Sequence, residues 1–455
     1  MDFEVSYTLE NEQQFWDELE DILSGSCDTH ELIDNALRNY LSFTTTYSDN
    51  YLKSDLDLAK CSTKLRDSKL FVAHPDYVRR QIVYCLLQEE APKLLYQAAS
   101  FLLLDGRQDE STFQLMTDEG AFLRLIELVQ TLEDAGAGLH RLLMQLLYEM
   151  GRRQRIRQEE LSMSMFRGYE LQLNGSVMIE EDFVVYLLSL IERLSDDASD
   201  PYHYPVIRVL LVLNEQYMVA THTAPVSALK SPPPIPQTFT NNHNTILPNR
   251  IISVLSKEGP FFRTFGENII LLLNRESETS LQLLILKILY LLFTTGTTYE
   301  YFYTNDLRVL VDVMLRNLLD LPFSARALRH TYLRVLHPLL ANTQLHYPEN
   351  NYKRDEILKV LSTLVGSSGV GALHFGQVDE TTKRLGIRCA RLPWLDEDGS
   401  TVNLSPTAAV KLGAGLGIGL NEKAAESCLS VVGDSVAAAI ARPGEQMPSR
   451  GKGDR

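Results

Sequence analysis

The stretch HPDYVRRQIVYCLLQEEAPKLLYQAASFLLLDG, residues 74–106, indicates how the whole chain is built. Its apolar residues recur at the i, i+3, i+4 and i+7 positions that share one face of an α-helix. The pattern is interrupted at Ala91-Pro92, and proline is well tolerated in the first turn of a helix because its missing N–H is not needed there. We therefore predict two consecutive helices that meet at this proline.

The same helical pattern recurs in both directions from this stretch. Residues 118–134, 137–151 and 180–194 repeat it, whereas strand-like alternation of apolar and polar residues is scarce. Short helices that follow one another over short turns are typical of stacked helical pairs of the armadillo or HEAT type. Because the segments resemble each other only weakly, the predicted fold class is all-α, an irregular armadillo/HEAT-like α-solenoid.

Two segments depart from the helical pattern. Residues 221–248 are rich in Pro, Thr and Asn, which predicts an exposed loop within the array. Residues 396–455 are rich in Gly, Ala and Ser with few aromatic side chains, which predicts a disordered C-terminal tail. The expected organisation is one armadillo-like helical domain over residues 1–395, followed by this tail.

Charge and composition exclude several classes of protein. The 455 residues carry a formal charge of −16, which argues against a general binder of nucleic acid or anionic membranes. The acidic N-terminus shows no apolar signal-peptide core, and five cysteines without CxxC spacing fit a reducing compartment. The most apolar run, 281–293, contains Lys287 and is shorter than the roughly 18 residues of a membrane span. We expect a cytosolic protein without membrane insertion.

Motifs of catalysis are missing from the sequence. It contains no HExxH, GxSxG or P-loop pattern, and its ten histidines are scattered along the chain. The expectation is therefore a binding protein, not an enzyme, that needs no cofactor and no metal.

The segment TTYEYFYTND, residues 297–306, concentrates aromatic residues between two leucine-rich runs. A short connection between packed helices needs large side chains to fill the space, so we expect Phe302 and part of the tyrosines to be buried. Three tyrosines in five positions cannot all point inward, and at least one should reach solvent, as tyrosines do at protein interfaces. Thr304 or Asn305 is expected to cap the next helix.

The following helix carries a basic stripe. Arg326, His330, Arg334 and His337 lie at offsets 0, 4, 8 and 11 and share one helical face, with Arg329 at its edge. On an acidic protein such a stripe favours an acidic partner, since arginine binds carboxylates through two parallel hydrogen bonds. The alternative is that these side chains satisfy acidic groups on a neighbouring helix.

Several sequence blocks carry a resemblance to a known family. They are Phe265-Gly266-Glu267-Asn268, Leu273-Asn274-Arg275, TYEYFYTNDL at 298–307, LRHTYLRVLHPLL at 328–340 and RCARLPWL at 388–395. Together they resemble the leucine-rich domain of the WISH/DIP/SPIN family, most strongly over residues 247–395. The absence of an N-terminal SH3 domain makes the chain similar to the shorter fungal members.

The resemblance implies an armadillo-like protein that binds the actin-related protein 2/3 complex and activates it without a preformed filament. The linear filaments so formed would seed branched networks at endocytic actin patches, with actin as an indirect partner at cytoplasmic, cortical sites. The expected partner contacts are Glu300, Tyr301, Tyr303, Arg326, Arg329, His330, Arg334 and His337. The alternative is a passive armadillo scaffold or small-GTPase effector that links SH3 proteins to the actin cortex.

A short proline motif offers a second kind of contact. In KSPPPIP, residues 230–236, Lys230, Pro233 and Pro236 fit the [KR]xxPxxP pattern of SH3 ligands, whose polyproline conformation is already preset. The alternative is a loop that is merely stiffened by its prolines.

Overall fold

The structure, a computed structural model, confirms the all-α fold class. It describes residues 9–25, 29–132, 136–163, 172–173, 176–177, 182–195, 197–222, 248–322, 324–347, 349–365 and 378–395. The predicted disordered tail at 396–455 and most of the predicted loop at 221–248 lie outside these ranges. Lys230, Pro233 and Pro236 lie outside them as well.

The chain divides into two compact units, residues 1–265 and 266–455. The single domain expected over residues 1–395 stays a prediction about the chain as a whole. The helices of the first unit are α1 (Glu12–Ser24), α2 (His30–Tyr51), α3 (Asp55–Asp67), α4 (Lys69–Ala73), α5 (Pro75–Gln88), α6 (Pro92–Gln108), α7 (Ser111–Asp118), α8 (Ala121–Thr131), α9 (Ala137–Arg153), α10 (Gln158–Met163), α11 (Phe183–Glu192), α12 (Tyr204–His222) and α13 (Arg250–Glu258).

Local sequence signals mark the starts of several of these helices. Pro75 and Pro92 occupy the first turns of α5 and α6, which confirms the two helices predicted from residues 74–106. Asn11 caps α1 through its side chain, and Ser54 with Asp57 forms a capping box at α3. A two-stranded antiparallel hairpin, β1 (Gln172–Leu173) with β2 (Ser176–Val177), was not expected from the sequence.

The first unit contains a buried ionic network between α5, α6 and α7. The guanidinium of Arg79 bonds Asp105 through Nε at 2.8 Å and Asp109 through Nη2 at 2.7 Å. Asp105 also accepts a hydrogen bond from Thr112, and Arg79 donates a further one to Ser111. Because every charge here has a partner, the network can be buried without leaving an isolated ion.

The second unit stacks further helices around an apolar centre. Its helices are α14 (Arg263–Arg275, which contains the boundary), α15 (Thr279–Thr294), α16 (Thr304–Asp320), α17 (Arg326–Asn342), α18 (Arg354–Val365) and α19 (Glu380–Ala390). Helix α15 is buried on nearly all sides, including Lys287 at 6% exposure, as its apolar sequence predicted. α17 packs against α15, α16 and α19, and α18 packs against α16 and α19.

A polar network inside the second unit fixes the position of α17. The Tyr332 hydroxyl donates to Gln282 Oε1 at 3.1 Å and accepts from Asn317 Nδ2 at 2.9 Å. Burial raises the pKa of Tyr332 to about 12. The network therefore joins α15, α16 and α17 at one point, and α17 continues through Pro338.

Candidate interaction surface of the second unit

The aromatic segment forms a buried wedge. Tyr301 and Phe302 are buried, and their rings meet edge-on with centroids 4.9 Å apart. Phe302 also packs on Phe293 of α15 at 5.7 Å. Both rings press against Gly266, where a Cβ atom would meet each of them at 3.0 Å. The expected burial of Phe302 and of part of the tyrosines is confirmed, and glycine at 266 permits this close approach.

The outer edge of the same segment reaches solvent. Tyr303 is 59% exposed and Glu300 is exposed beside it. Tyr303 itself precedes α16 as the N-cap residue and makes no capping bond through its side chain. The expectation that Thr304 or Asn305 caps this helix was wrong: helical backbone already begins at Thr304, so both residues lie inside its first turn.

Hydrogen bonds to backbone carbonyls hold the aromatic segment in place. Thr298 Oγ1 donates to the carbonyl of Leu292 at 2.7 Å, and Gln344 Nε2 donates to the carbonyl of Phe302 at 3.3 Å. The segment is thus tied to the end of α15 and to the turn that follows α17. The exposed Tyr303 consequently projects from an ordered support.

The basic stripe of α17 is partly buried. Arg329 is 3% exposed, and its Nη2 donates to the carbonyls of Leu321 and Pro322 at 3.0 and 3.1 Å. Burial lowers the pKa of Arg329. This arginine holds the turn that precedes its own helix. Its role as a partner contact stays a prediction, which its burial does not favour. Tyr301 is buried as well, so the same is true of its predicted contact.

His330 makes a contact of the kind that the structural alternative described. Its Nε2 lies 2.8 Å from a carboxylate oxygen of Asp379, the N-cap residue of α19. Burial is the main cause that lowers the pKa of His330, despite this carboxylate. Burial would raise the pKa of Asp379, but hydrogen bonds from Thr382 and His330 outweigh the effect of burial and lower this pKa to about 2. His330 is therefore held as a neutral hydrogen-bond partner at neutral pH.

The remaining members of the stripe differ in exposure. Arg326 is exposed, whereas Arg334 and His337 are half-buried beside α19. Burial, together with the charge of Arg388 on α19, lowers the pKa of His337 to about 4. Only part of the predicted stripe is therefore available at the surface.

The structure separates the exposed aromatic-segment contacts from the exposed start of the basic stripe. Glu300 and Tyr303 lie near the C-terminal end of α17, because Gln344 bonds the carbonyl of Phe302. Arg326 begins the helix, which has 17 residues and is therefore about 25 Å long. Glu300 and Tyr303 thus lie on the same unit as Arg326 but do not form one compact site with it.

The structure also shows exposed arginines that the sequence reasoning did not include. Arg384, Arg388 and Arg391 are all exposed and follow one another at i, i+4 and i+7 along α19 and the residue after it. No ion pair joins any of them to another residue within the described ranges. Their spacing could have been read from the sequence ETTKRLGIRCAR, but their exposure depends on which face of α19 packs inward.

Packing on α17 and α18 determines which face of α19 is outward. Cys389 is buried and its Sγ lies 3.5 Å from the carbonyl of Leu333. Just after the helix, Trp394 Nε1 donates to the carbonyl of Leu340 at 2.9 Å. Gly386 lies so close to α18 that a Cβ atom would meet Val365 at 2.7 Å. With these residues facing inward, the three arginines must face outward.

The described residues contain neither a membrane-spanning helix nor a metal-binding cluster. None of their helices is long and apolar enough to cross a membrane. Within the same ranges, no group of three or more His, Cys, Asp or Glu residues is placed to hold a metal ion.

Stacked helices around an apolar core, with charged and aromatic side chains on the outside, define the class of helical-repeat proteins that bind through extended surfaces. Residues 199–357 match the family model described as SPIN90/Ldb17, leucine-rich domain. This match confirms the resemblance to the WISH/DIP/SPIN family, and residues 199–357 are similar to its leucine-rich domain.

Curated relatives extend the similarity beyond this domain. Protein dip1 of Schizosaccharomyces pombe is 28% identical over 405 residues, which cover 87% of this chain and 97% of that protein. Protein LDB17 of Saccharomyces cerevisiae is 34% identical over 248 residues, 51% of this chain and 45% of that protein. Protein LDB17 of Eremothecium gossypii is 25% identical over 399 residues, 82% of this chain and 80% of that protein.

Proposed function

We propose that this chain is a non-enzymatic protein that binds the actin-related protein 2/3 complex and activates it without a preformed actin filament. The linear filaments that result would seed branched networks at cortical endocytic patches in the cytoplasm. The observation that carries the proposal is the alignment with Protein dip1 over 97% of that protein, together with the family domain at residues 199–357. The family resemblance implies the activity.

An activator of this kind acts by differential affinity. It must bind the active arrangement of the complex more tightly than the inactive one, because equal affinity for both shifts nothing. Moving such an equilibrium from 1:99 to 99:1 requires about 5.5 kcal/mol of difference in binding free energy. A rigid binding surface favours tight binding to the active arrangement, since less conformational entropy is lost on binding.

Rigid support is what the second unit offers its exposed side chains. Tyr303 projects from the wedge of Tyr301 and Phe302, and Arg326 begins a helix anchored by the Tyr332 network. We take Glu300, Tyr303 and Arg326 as the exposed members of the proposed contact set, with the half-buried Arg334 as a further member.

The direct test mixes the purified full chain with the complex and actin monomers, without filaments. Polymerisation should start sooner than with the complex alone, and single-filament fluorescence imaging should show linear first filaments. Binding without faster assembly would support the passive scaffold instead. Exclusively branched products, or no binding at all, would refute the proposal.

A charge-reversal variant tests the surface separately from the activity. Arg326→Glu should weaken binding to the complex while leaving the melting temperature near that of the wild type, because Arg326 is exposed. Lys359→Glu on α18 is the matched control, as it reverses another exposed charge of the same unit. Equal loss of binding in both variants would contradict the assignment of Arg326.

A further inference from the structure

The outer face of α19 carries a row of positive charge in an otherwise acidic protein. Arg384, Arg388 and Arg391 lie on it at i, i+4 and i+7, and the half-buried Ile387 lies between them. Seven residues of helix separate the first from the last arginine, a distance of about 10.5 Å along the axis. We call these three residues the α19 arginine row.

Helix stability does not account for this row. Cations near the C-terminal end of a helix interact favourably with its dipole, which covers Arg388 and Arg391 but not Arg384 in the middle of α19. Glu380 lies one turn before Arg384, yet no ion pair joins these two described residues. Like charges at i, i+4 destabilise a helix by about 0.2–0.5 kcal/mol, so Arg384 and Arg388 act against folding.

The α19 arginine row also disfavours protonation of His337 on the neighbouring helix α17. The positive charge of Arg388 contributes to the lowered pKa of His337 on α17, after burial. A feature that slightly destabilises the free protein, and that is exposed, is most simply explained by a ligand that removes the cost.

We propose that the α19 arginine row is a docking site for an acidic helical segment of a protein partner. Carboxylates spaced one and two turns apart on such a segment would face the three guanidinium groups, each of which can bind a carboxylate through two parallel hydrogen bonds. Ile387 supplies an apolar contact at the centre of the row, so the segment should carry an apolar residue between its acidic ones.

The surroundings favour a short acidic segment over a membrane or a nucleic acid. The chain carries a charge of −16, and α18, which packs against α19, exposes Asp355 almost completely, with Glu356 beside it. A wide polyanionic surface would extend beyond the row and be repelled by the net negative charge of the chain. At physiological salt the screening length is about 8 Å, so a segment that covers only the row experiences mainly its positive charge.

This site goes beyond the proposed function, because it does not require the partner to be the actin-related protein 2/3 complex. It also lies on a different helix from the exposed contacts Glu300, Tyr303 and Arg326. Activation of that complex can therefore fail while the row still binds an acidic helix, and the reverse can occur as well.

The test measures binding of a labelled helical probe peptide to the full chain by fluorescence anisotropy. The probe is an Ala- and Gln-based peptide with glutamates at i, i+4 and i+7 and a leucine at i+3. A second peptide of the same composition spreads the glutamates around the helix. The patterned probe should bind more tightly than the spread one, and added salt should weaken its binding.

Triple variants give the decisive comparison. Replacing Arg384, Arg388 and Arg391 by Glu should weaken binding of the patterned probe about tenfold or more, since exposed ion pairs contribute about two- to fivefold each. Replacement of all three by Lys should retain part of the affinity. The matched control, Lys53, Lys257 and Lys359 replaced by Glu, changes the net charge equally at exposed positions and should stay within about twofold.

The same variants define the results that would overturn the proposal. If the control triple loses as much affinity as the arginine triple, the effect is one of net charge and the site is wrong. Binding to vesicles containing phosphatidylinositol bisphosphate that needs the row, without binding to the peptide, would assign the row to lipid instead. Circular-dichroism melting of each variant must match the wild type, and the Lys triple keeps the test valid if the Glu triple misfolds.

Discussion

Protonation of His337 should loosen the packing between α17 and α19. Its imidazole is half-buried and lies in the field of Arg388, and burial followed by this charge lowers its pKa from 6.5 to about 4. An unfolded chain takes up the proton near pH 6.5, whereas the folded chain resists it until about pH 4. The stabilising contribution of neutral His337 is therefore complete above pH 6.5 and is lost as the pH falls towards 4.

The size of the effect follows from that difference. A pKa lowered from 6.5 to about 4 corresponds to at most about 3 kcal/mol of unfolding free energy. Because His337 keeps some contact with solvent, screening reduces the value, and we expect about 1–2 kcal/mol between pH 7 and pH 4.5. His330 titrates in the same direction, so the His337 contribution must be isolated by a variant that keeps His330.

His337→Gln is that variant, and amide hydrogen exchange read by mass spectrometry is the assay. Exchange in peptides covering 326–342 and 380–390 should accelerate on acidification, after correction for intrinsic rates. This acceleration should be about 5- to 30-fold smaller in the variant than in the wild type, the factor that corresponds to 1–2 kcal/mol. His74→Gln, at the start of α5 in the first unit, is the control and should behave as the wild type. An identical acid response in His337→Gln and the wild type would refute the reasoning.

Two further predictions concern stability. Asp105→Asn removes the buried partner of Arg79 and should lower the unfolding free energy by about 3–5 kcal/mol in urea titrations. The control is Asp76→Asn, because the exposed carboxylate of Asp76 also lies close to Arg79, at 3.7 Å. This substitution should change the unfolding free energy by less than about 0.5 kcal/mol. Similar losses in Asp105→Asn and Asp76→Asn would contradict the burial argument. Phe302→Ala should cost about 3–5 kcal/mol in thermal unfolding, because it empties the wedge, whereas Tyr303→Ala should cost little. A larger loss at Tyr303 would mean that the wedge is assigned to the wrong rings.

The parts of the fold that follow from local sequence could be predicted. Pro75 and Pro92 start α5 and α6 because proline fits the first turn of a helix. Residues 281–293 are apolar all round and accordingly form the buried helix α15. By contrast, the β1–β2 hairpin has strands of two residues, which are too short to give an alternating pattern.

The site was harder to predict, because exposure depends on residues that are distant in sequence. The basic stripe of α17 was correctly placed on one face by its spacing, but the sequence could not show that α19, some 50 residues later, packs against that face. Arg329 was expected at the surface and instead binds the carbonyls of Leu321 and Pro322. Helical spacing predicts which side chains share a face and leaves open whether that face is covered.

The contact between α17 and α19 also explains how an exposed row of arginines can be retained. In the free protein, Arg388 repels Arg384 and disfavours a proton on His337, and both effects have the same physical origin in an uncompensated positive charge. A carboxylate docked on Arg388 would reduce both. Binding of an acidic partner would thus reduce the repulsion between the arginines. The charges that slightly destabilise the free helix would therefore stabilise its complex with that partner.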